Sequence, residues 1–261
     1  PGDREQRWAL SASIAGDELR GSLVDAKGNV SLLARDASTI DSIAIGLSGA
    51  AGGAVGAAAS ENHVGSGIHT VVRQAEVLSP GTVSLISESS PVVRSFAAGI
   101  ALSGFASGQA AVTLNDIGNT VDASISGATV RGDLGVSLSA SEQAPTPAGA
   151  MAVPAAVIAE LTQSLGGHTA DPSANIVAFA GSLAASGGAS LGAAVAKSLI
   201  HSTIEAGVAS ATVAAIGGDV RVDSRSEAKI SSIAGGVSAG GLAANASAAI
   251  NTITDSTTAN L

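Results

Sequence analysis

The chain has 261 residues, a net charge of −9 and only 13% charged side chains, so it lacks the basic clusters that nucleic acid or an anionic lipid surface would need. It contains no Cys, which excludes both a disulfide framework and a thiolate metal site. Hydrophobic residues make up 46% but aromatics only 2%, with 33 Gly, so any core must be built in thin layers from Ala, Val, Ile, Leu and Gly, as in stacked, quasi-one-dimensional architectures.

Read in chain order, the sequence repeats itself. A half-copy, Gly21-Ser22-Leu23-Val24, precedes the strand-opening triplet Gly28-Asn29-Val30. The triplet recurs as Gly81-Thr82-Val83, Gly132-Asp133-Leu134 and Gly218-Asp219-Val220, and the four glycines stand 53, 51 and 86 residues apart. The long interval exceeds 51 by 35, which predicts one insertion in an otherwise regular register of ~51 residues. After each glycine the chain alternates with period two, as in Val83-Ser84-Leu85 and Val220-Arg221-Val222, the signature of a half-buried strand. Later in each unit a second alternating run begins at Ile68, Val121, Ile204 and, in the last copy, Thr257; the runs close on Val77, Val130 and Val213. The spacing predicts units near 28–80, 81–131, 132–217 and 218–261, with a partial unit 1–27 before them. Both ends cut through a unit, which predicts a segment of something longer.

Between the two alternating parts lies a charge-free run: Ser42–Ser60, with counterparts Ser95–Asn115, Pro172–Ala196 and Ile230–Thr254. These runs are long enough for a membrane-crossing helix, which needs roughly 20 apolar residues, but they are made of Gly, Ala and Ser. Five glycines in Ser42–Ser60 would cost a soluble helix about 1 kcal/mol each. Two closely packed strands joined by a Gly-rich bend fit the composition best. A polar residue follows Gly104, Gly187 and Gly240 eleven positions later, at Asn115, Ser198 and Asn251; in the first copy Gly49 leads to Asn62 after thirteen, a two-residue slip. These side chains are expected to form a ladder along the stack. The fold class expected is therefore all-β: a parallel β-helix, one wide or two ordinary coils per unit, with strand edges paired between successive units.

The insertion, 141–174, opens on Ala144-Pro145-Thr146-Pro147. Pro154 near a start, glycines 166 and 167 past an end, and Val157, Leu161 and Leu165 on one stripe predict a short helix on the flank of the solenoid.

The search for chemistry yields little. His63, His69, His168 and His201 have no ligand set at recognisable spacing, so they read as surface residues and no metal or cofactor is expected. Asp133 and Asp219, where Asn29 and Thr82 stand in other copies, read as turn residues. The aromatics are Trp8, Phe96, Phe105 and Phe179; Phe96 and Phe179 share a phase with Ile43 and Ile233 and read as core fillers, not sugar platforms. No nucleophile elbow and no phosphate-binding loop is present. No catalytic residue is expected, and the chain reads as a non-enzyme. Carboxylates converging on one solenoid face would favour a glycan-active β-helix enzyme instead.

The unit as a whole, with Ser42-Ile43-Ala44-Ile45-Gly46, Ser232-Ile233-Ala234-Gly235-Gly236 and the stretch Ala123 to Val130, resembles the long repetitive adhesins of Gram-negative bacteria, the filamentous haemagglutinin-like group and the leukotoxin-type filamentous adhesins. The resemblance covers nearly the whole chain apart from the insertion. It implies an exported, surface-attached or released fibre with a β-solenoid shaft and no catalytic residues. The expectation is a structural or adhesive shaft segment, extracellular or at the bacterial surface. Its partners would be neighbouring repeats of the same longer chain and a host or matrix surface, without nucleic acid and without membrane insertion. A membrane-embedded repeat protein is the third reading.

Overall fold

A computed structural model describes residues 8–17, 21–145 and 171–261. Each turn of the chain makes five strands. The first turn holds β1 (Trp8–Ala15), β2 (Ser22–Asp25), β3 (Val30–Asp36), β4 (Thr39–Ala50) and β5 (Gly53–Val64). The second holds β6 (Ser66–Arg73), β7 (Ala75–Ser79), β8 (Thr82–Ser89), β9 (Val92–Ser103) and β10 (Ala106–Ile117). The third holds β11 (Thr120–Ser126), β12 (Thr129–Gly132), β13 (Gly135–Glu142), β14 (Ile176–Ser186) and β15 (Ala189–Ile200). The fourth holds β16 (Thr203–Ala209), β17 (Thr212–Ala214), β18 (Val220–Ser226), β19 (Ile230–Ala239) and β20 (Leu242–Ile253), and β21 (Ser256–Asn260) opens a fifth. Equivalent strands pair in parallel into five sheets: β1-β6-β11-β16-β21 (sheet I), β2-β7-β12-β17 (II), β3-β8-β13-β18 (III), β4-β9-β14-β19 (IV) and β5-β10-β15-β20 (V). This is a parallel β-solenoid with one wide coil per unit.

The pairing sets the period. Val83 sits beside both Val30 and Val136, and Asn62 bonds Asn115 across a separation of 53 residues, so the turn is 53 residues long and not ~51. The glycine marker misled at one point: Gly132 pairs with Ser79, so it lies two residues earlier in phase than Gly81. The third-to-fourth-turn offset of 83, read from Asn115 to Ser198, leaves about 30 residues for the insertion instead of 35. The two-residue slip in the first copy also disappears, because Gly53 is the partner of Ala106 and Ala51 therefore holds the place of Gly104. The helix expected within 153–165 lies outside the described residues; no helix occurs among those described. The charge-free runs are pairs of strands joined by bends at 51–52, 104–105, 187–188 and 240–241. A Cβ on Gly104 would stand 2.3 Å from the Ala51 carbonyl oxygen one turn below, so that position of the bend has no room for a side chain.

The cross-section has two parts. Sheets I, II and III enclose a body whose interior is a set of aliphatic columns: Leu32, Leu85 and Leu138; Val77 and Val130; Ile68, Val121 and Ile204. Sheets IV and V lie back to back and form a fin. Inside the fin the residues are small: Ala44, Ala97, Ala58 and Ala111 cluster there, and Gly46 is so close to the opposite sheet that a Cβ would stand 2.3 Å from the Ala57 oxygen. A mixed cluster including Val93, Ile117, Ile176 and Ile200 joins the fin to the body. Outward, the fin carries the larger apolar side chains. Phe96 and Phe179 stack in phase, as the sequence predicts, with ring centroids 5.0 Å apart. Phe96 is buried, as expected of a core filler, with 3% exposure, but it does not face sheet V. Ser95 points inward to Asn115, and Ala178 and Ala180 lie in the interior cluster, so both rings occupy the outer face of sheet IV.

Candidate functional site

Two places gather polar and titratable groups, and both follow from the 53-residue phase. The first is a wall of polar side chains between the body core and the fin. Asn119, Ser202 and Asp255 occupy one column at the start of sheet I. Each accepts or receives the next turn: Ser66 N–H donates to Asn119 Oδ1 at 2.9 Å, Asn119 N–H to Ser202 Oγ at 3.3 Å, and Ser202 N–H to Asp255 Oδ1 at 2.8 Å. Facing them, at the ends of the sheet III strands, stand Asp36, Ser89, Glu142 and Ser226. Asn119 Nδ2 donates across to Ser89 Oγ at 3.0 Å, and Ser226 Oγ donates to Asp255 Oδ2 at 2.5 Å.

Glu142 is the exception in this wall. Its side chain is fully buried, and neither carboxylate oxygen has a hydrogen bond of good geometry among the described residues. Burial is the main cause that pushes its pKa up to about 7 from an ordinary 4.5. The adjacent Ser202 hydroxyl works against the rise, and the like charge of Asp255 adds to it. A buried acid that holds its proton near neutrality can donate or release that proton.

The second place is on the outer surface at the base of sheet V. His63 Nδ1 lies 3.1 Å from Asp116 Oδ2, and His201 Nδ1 lies 3.0 Å from Asp116 Oδ1, so one carboxylate is held between two imidazoles from the turns below and above. His69 stands 3.8 Å from Asp122, its register partner one turn above in sheet I. The histidines are thus on the surface, as expected, but not solitary. For His63 and His69 the spacing of 53 residues to the partner carboxylate was the sequence signal that would have found them; His201 lies across the insertion from Asp116 and breaks that spacing. No group of three His, Cys, Asp or Glu in a metal-holding arrangement occurs among the described residues. His168 lies outside them.

The amide ladder is present. Asn115 pairs in register with Asn62 and Ser198, and Ser198 with Asn251. Asn62 Nδ2 donates to Asn115 Oδ1 at 2.8 Å, and Asn115 Nδ2 donates to Ser95 Oγ on the opposite sheet at 2.8 Å, which ties the two faces of the fin together. Asn29 makes a turn contact between units, accepting from Thr82 N–H at 3.0 Å. Asp133 and Asp219 do not share a phase, because Val136 pairs with Val220 and Asp219 therefore faces Gly135. Asp133 is held by Arg131 Nε at 2.8 Å. Phe105 is exposed at a fin bend, and the side chain of Trp8 lies outside the described residues.

Other charged groups pair across turns. Arg94 grips Asp41 one turn below with two bonds of 2.5 and 2.6 Å, and Arg35 bonds Glu88 one turn above. Comparison with protein families, curated proteins and solved structures finds no match to this chain.

Proposed function

We propose that this chain is a shaft segment of a large bacterial cell-surface or secreted fibre, structural or adhesive in role. The observation that carries the reading is the turn-to-turn main-chain pairing in one direction through all five sheets. Such a stack needs only its neighbours for stability, lengthens without redesign, and separates whatever lies at one end from whatever lies at the other. The sequence resemblance to repetitive adhesins of Gram-negative bacteria points the same way. Side-chain contacts between turns, such as Arg94 with Asp41 and Asn62 with Asn115, serve the stack itself. In this reading the partners are adjoining turns of the same longer chain and a host or matrix surface, and the place of action is outside the cell.

The test is immunolabelling of intact producing cells with antibodies raised against residues 21–145. Label distributed along extended surface fibres or released fibres is the expected result. Label found only after cell lysis, on compact particles, would overturn the proposal.

A further inference from the structure

The fin inverts the usual arrangement, and one of its faces carries an unclaimed surface. Inward on sheet V point Ala58, Ser60 and Asn62, and on the next turn Ser107, Gln109, Ala111, Thr113 and Asn115, all buried. Outward point Gly53, Val55, Ala57 and Ala59; then Ala106, Gly108, Ala110 and Val112; then Ala189, Leu191, Ala193 and Val195; then Leu242, Ala244, Ala246 and Ala248. This four-by-four grid holds no charged or polar side chain. Val55 is 84% exposed, Leu191 61% and Leu242 72%. The column Ala57, Ala110, Ala193, Ala246 is alanine on every turn, which makes the face flat. With about 3.3 Å per residue and 4.8 Å per strand, the grid measures roughly 500 Å², the size at which an exposed apolar patch marks an interaction site.

We propose that the outer face of sheet V binds the same face of a second copy of this chain, around a twofold axis that lies in the face along β10. The charges at its lower border select this placement. The next outward column reads Glu61, Leu114, Lys197, Ile250. Glu61 and Lys197 are both exposed, and neither forms an ion pair among the described residues. A twofold along β10 exchanges the first and third turns while keeping each residue at its own depth. Glu61 then meets the second copy's Lys197, twice by symmetry; Leu114 meets Leu114 and Ala110 meets Ala110. An axis between β10 and β15 would instead set Glu61 against Ile250 and Lys197 against Leu114, leaving both charges opposite apolar groups. At the rim Asp116 approaches its own copy, a like-charge contact that weakens the dimer, with His63 and His201 of the same chain beside each carboxylate. Around this axis β5, β10 and β15 face the second copy's β15, β10 and β5 while β20 faces no strand among the described residues, so the overlap covers about 750 Å² in total, below the size of a stable interface, and a weak, reversible dimer is expected. A flat alanine surface suits a second flat sheet, since small side chains let two faces approach closely.

The experiment is sedimentation equilibrium across a micromolar to submillimolar series, with circular dichroism confirming the fold of every variant. The parent should shift from monomer to dimer with concentration. Ala110→Glu, which places like charges on the axis, should weaken association roughly tenfold or more. Glu61→Lys and Lys197→Glu should each weaken it, and the double swap Glu61→Lys with Lys197→Glu should restore it. A parent that stays monomeric throughout, single charge reversals without effect, a double swap without rescue, or uptake of the parent by phosphatidylcholine vesicles that Ala110→Glu abolishes would each overturn the proposal.

Discussion

The body and the fin are written with the same alternating code and solve opposite packing problems. In the body, Leu85, Leu138, Ile68 and Ile125 point inward and are fully buried, while Ser31, Arg35 and Arg131 face water. In the fin, Ala97, Ala101, Ala111 and Gly99 point inward, while Ile45, Leu47, Leu102 and Leu191 point outward. Period two states only that neighbours face opposite ways. Which set goes inside is decided by the distance between the walls. Three sheets around a triangle leave a wide space that branched aliphatic side chains fill, and two sheets back to back, around Ala44, Ala58, Ala97 and Ala111, leave space for little more than methyl groups. Small residues inside let the fin strands close on each other, and the hydroxyl and amide groups among them bond across, as Ser42 Oγ does with Ser60 Oγ at 2.7 Å.

The largest effect should come from the period itself. Deleting residues 67–119 removes one complete turn and joins Ser66 to Thr120, the residue that pairs with Gly67. That variant should remain a cooperatively folded β-protein, because a solenoid's stability is a sum over neighbouring turns. Deleting 67–118 instead, one residue fewer, shifts every later side chain to the opposite face in both regions and should abolish the fold. Circular dichroism and thermal unfolding of the two deletions decide it. Equal behaviour of the pair would mean that register is not specified by side chains at all.

A second contrast concerns loss against gain of volume. Leu138 is fully buried in the middle of the body, so Leu138→Ala should cost about 2–5 kcal/mol by urea unfolding. The fin should be sensitive in the other direction. A Cβ on Gly46 would stand 2.3 Å from one backbone atom and 2.9 Å from another of Ala57, so Gly46→Ala should cost about 1–3 kcal/mol although it adds only a methyl group. If Gly46→Ala stabilised the protein, as glycine replacement in an open strand can, the close approach of the two sheets would be wrong.

Between the two regions, the wall should make stability depend on pH. Glu142 has its pKa raised from 4.5 to about 7 in the folded state, so folding favours its protonated form. This favourable contribution is complete below pH 4.5 and is lost as pH rises through 7. The difference corresponds to roughly 3 kcal/mol at one pK unit per 1.36 kcal/mol. The parent should therefore lose about that much stability between pH 5 and pH 8, and Glu142→Gln, which cannot ionise, should lose far less over the same interval. Parallel pH profiles for parent and variant would remove Glu142 from this role.

Much of this architecture was legible in the sequence, and the failures have physical causes. The phase of Ile68, Val121 and Ile204 was readable because large inward side chains recur where the core demands them. The strand-opening glycines were a poorer ruler, since a turn glycine is fixed only by local backbone geometry and can move by two residues, as Gly132 did relative to Gly81. That Phe96 is buried was readable; that Phe96 and Phe179 lie on the face of sheet IV turned away from sheet V was not, because an aromatic in phase with isoleucines does not say which face is inward. The loss of charge on both faces from Ser42 to Ser60 was the available clue to the fin. Glu142 was missed because it ends a strand beside the insertion, where an acidic residue passes for a loop. Its column partners Asp36, Ser89 and Ser226, polar at an inward phase on every turn, were the signal.

The smallest expected effect tests the inversion most directly. Ala59 stands in an outward column of the fin whose other members are Val112, Val195 and Ala248. If this column faces out, a branched side chain is already accommodated on the two turns above, and Ala59→Val should change stability by less than about 0.5 kcal/mol. The inward neighbour Ala58 is buried against Ala97 and Ala44, so the same substitution there should cost about 1–3 kcal/mol, as overpacking does. Two adjacent alanines with one identical change thus report opposite faces. Equal costs at 58 and 59 would mean that the fin is packed on both sides or on neither, and the contrast with the body would fail with it.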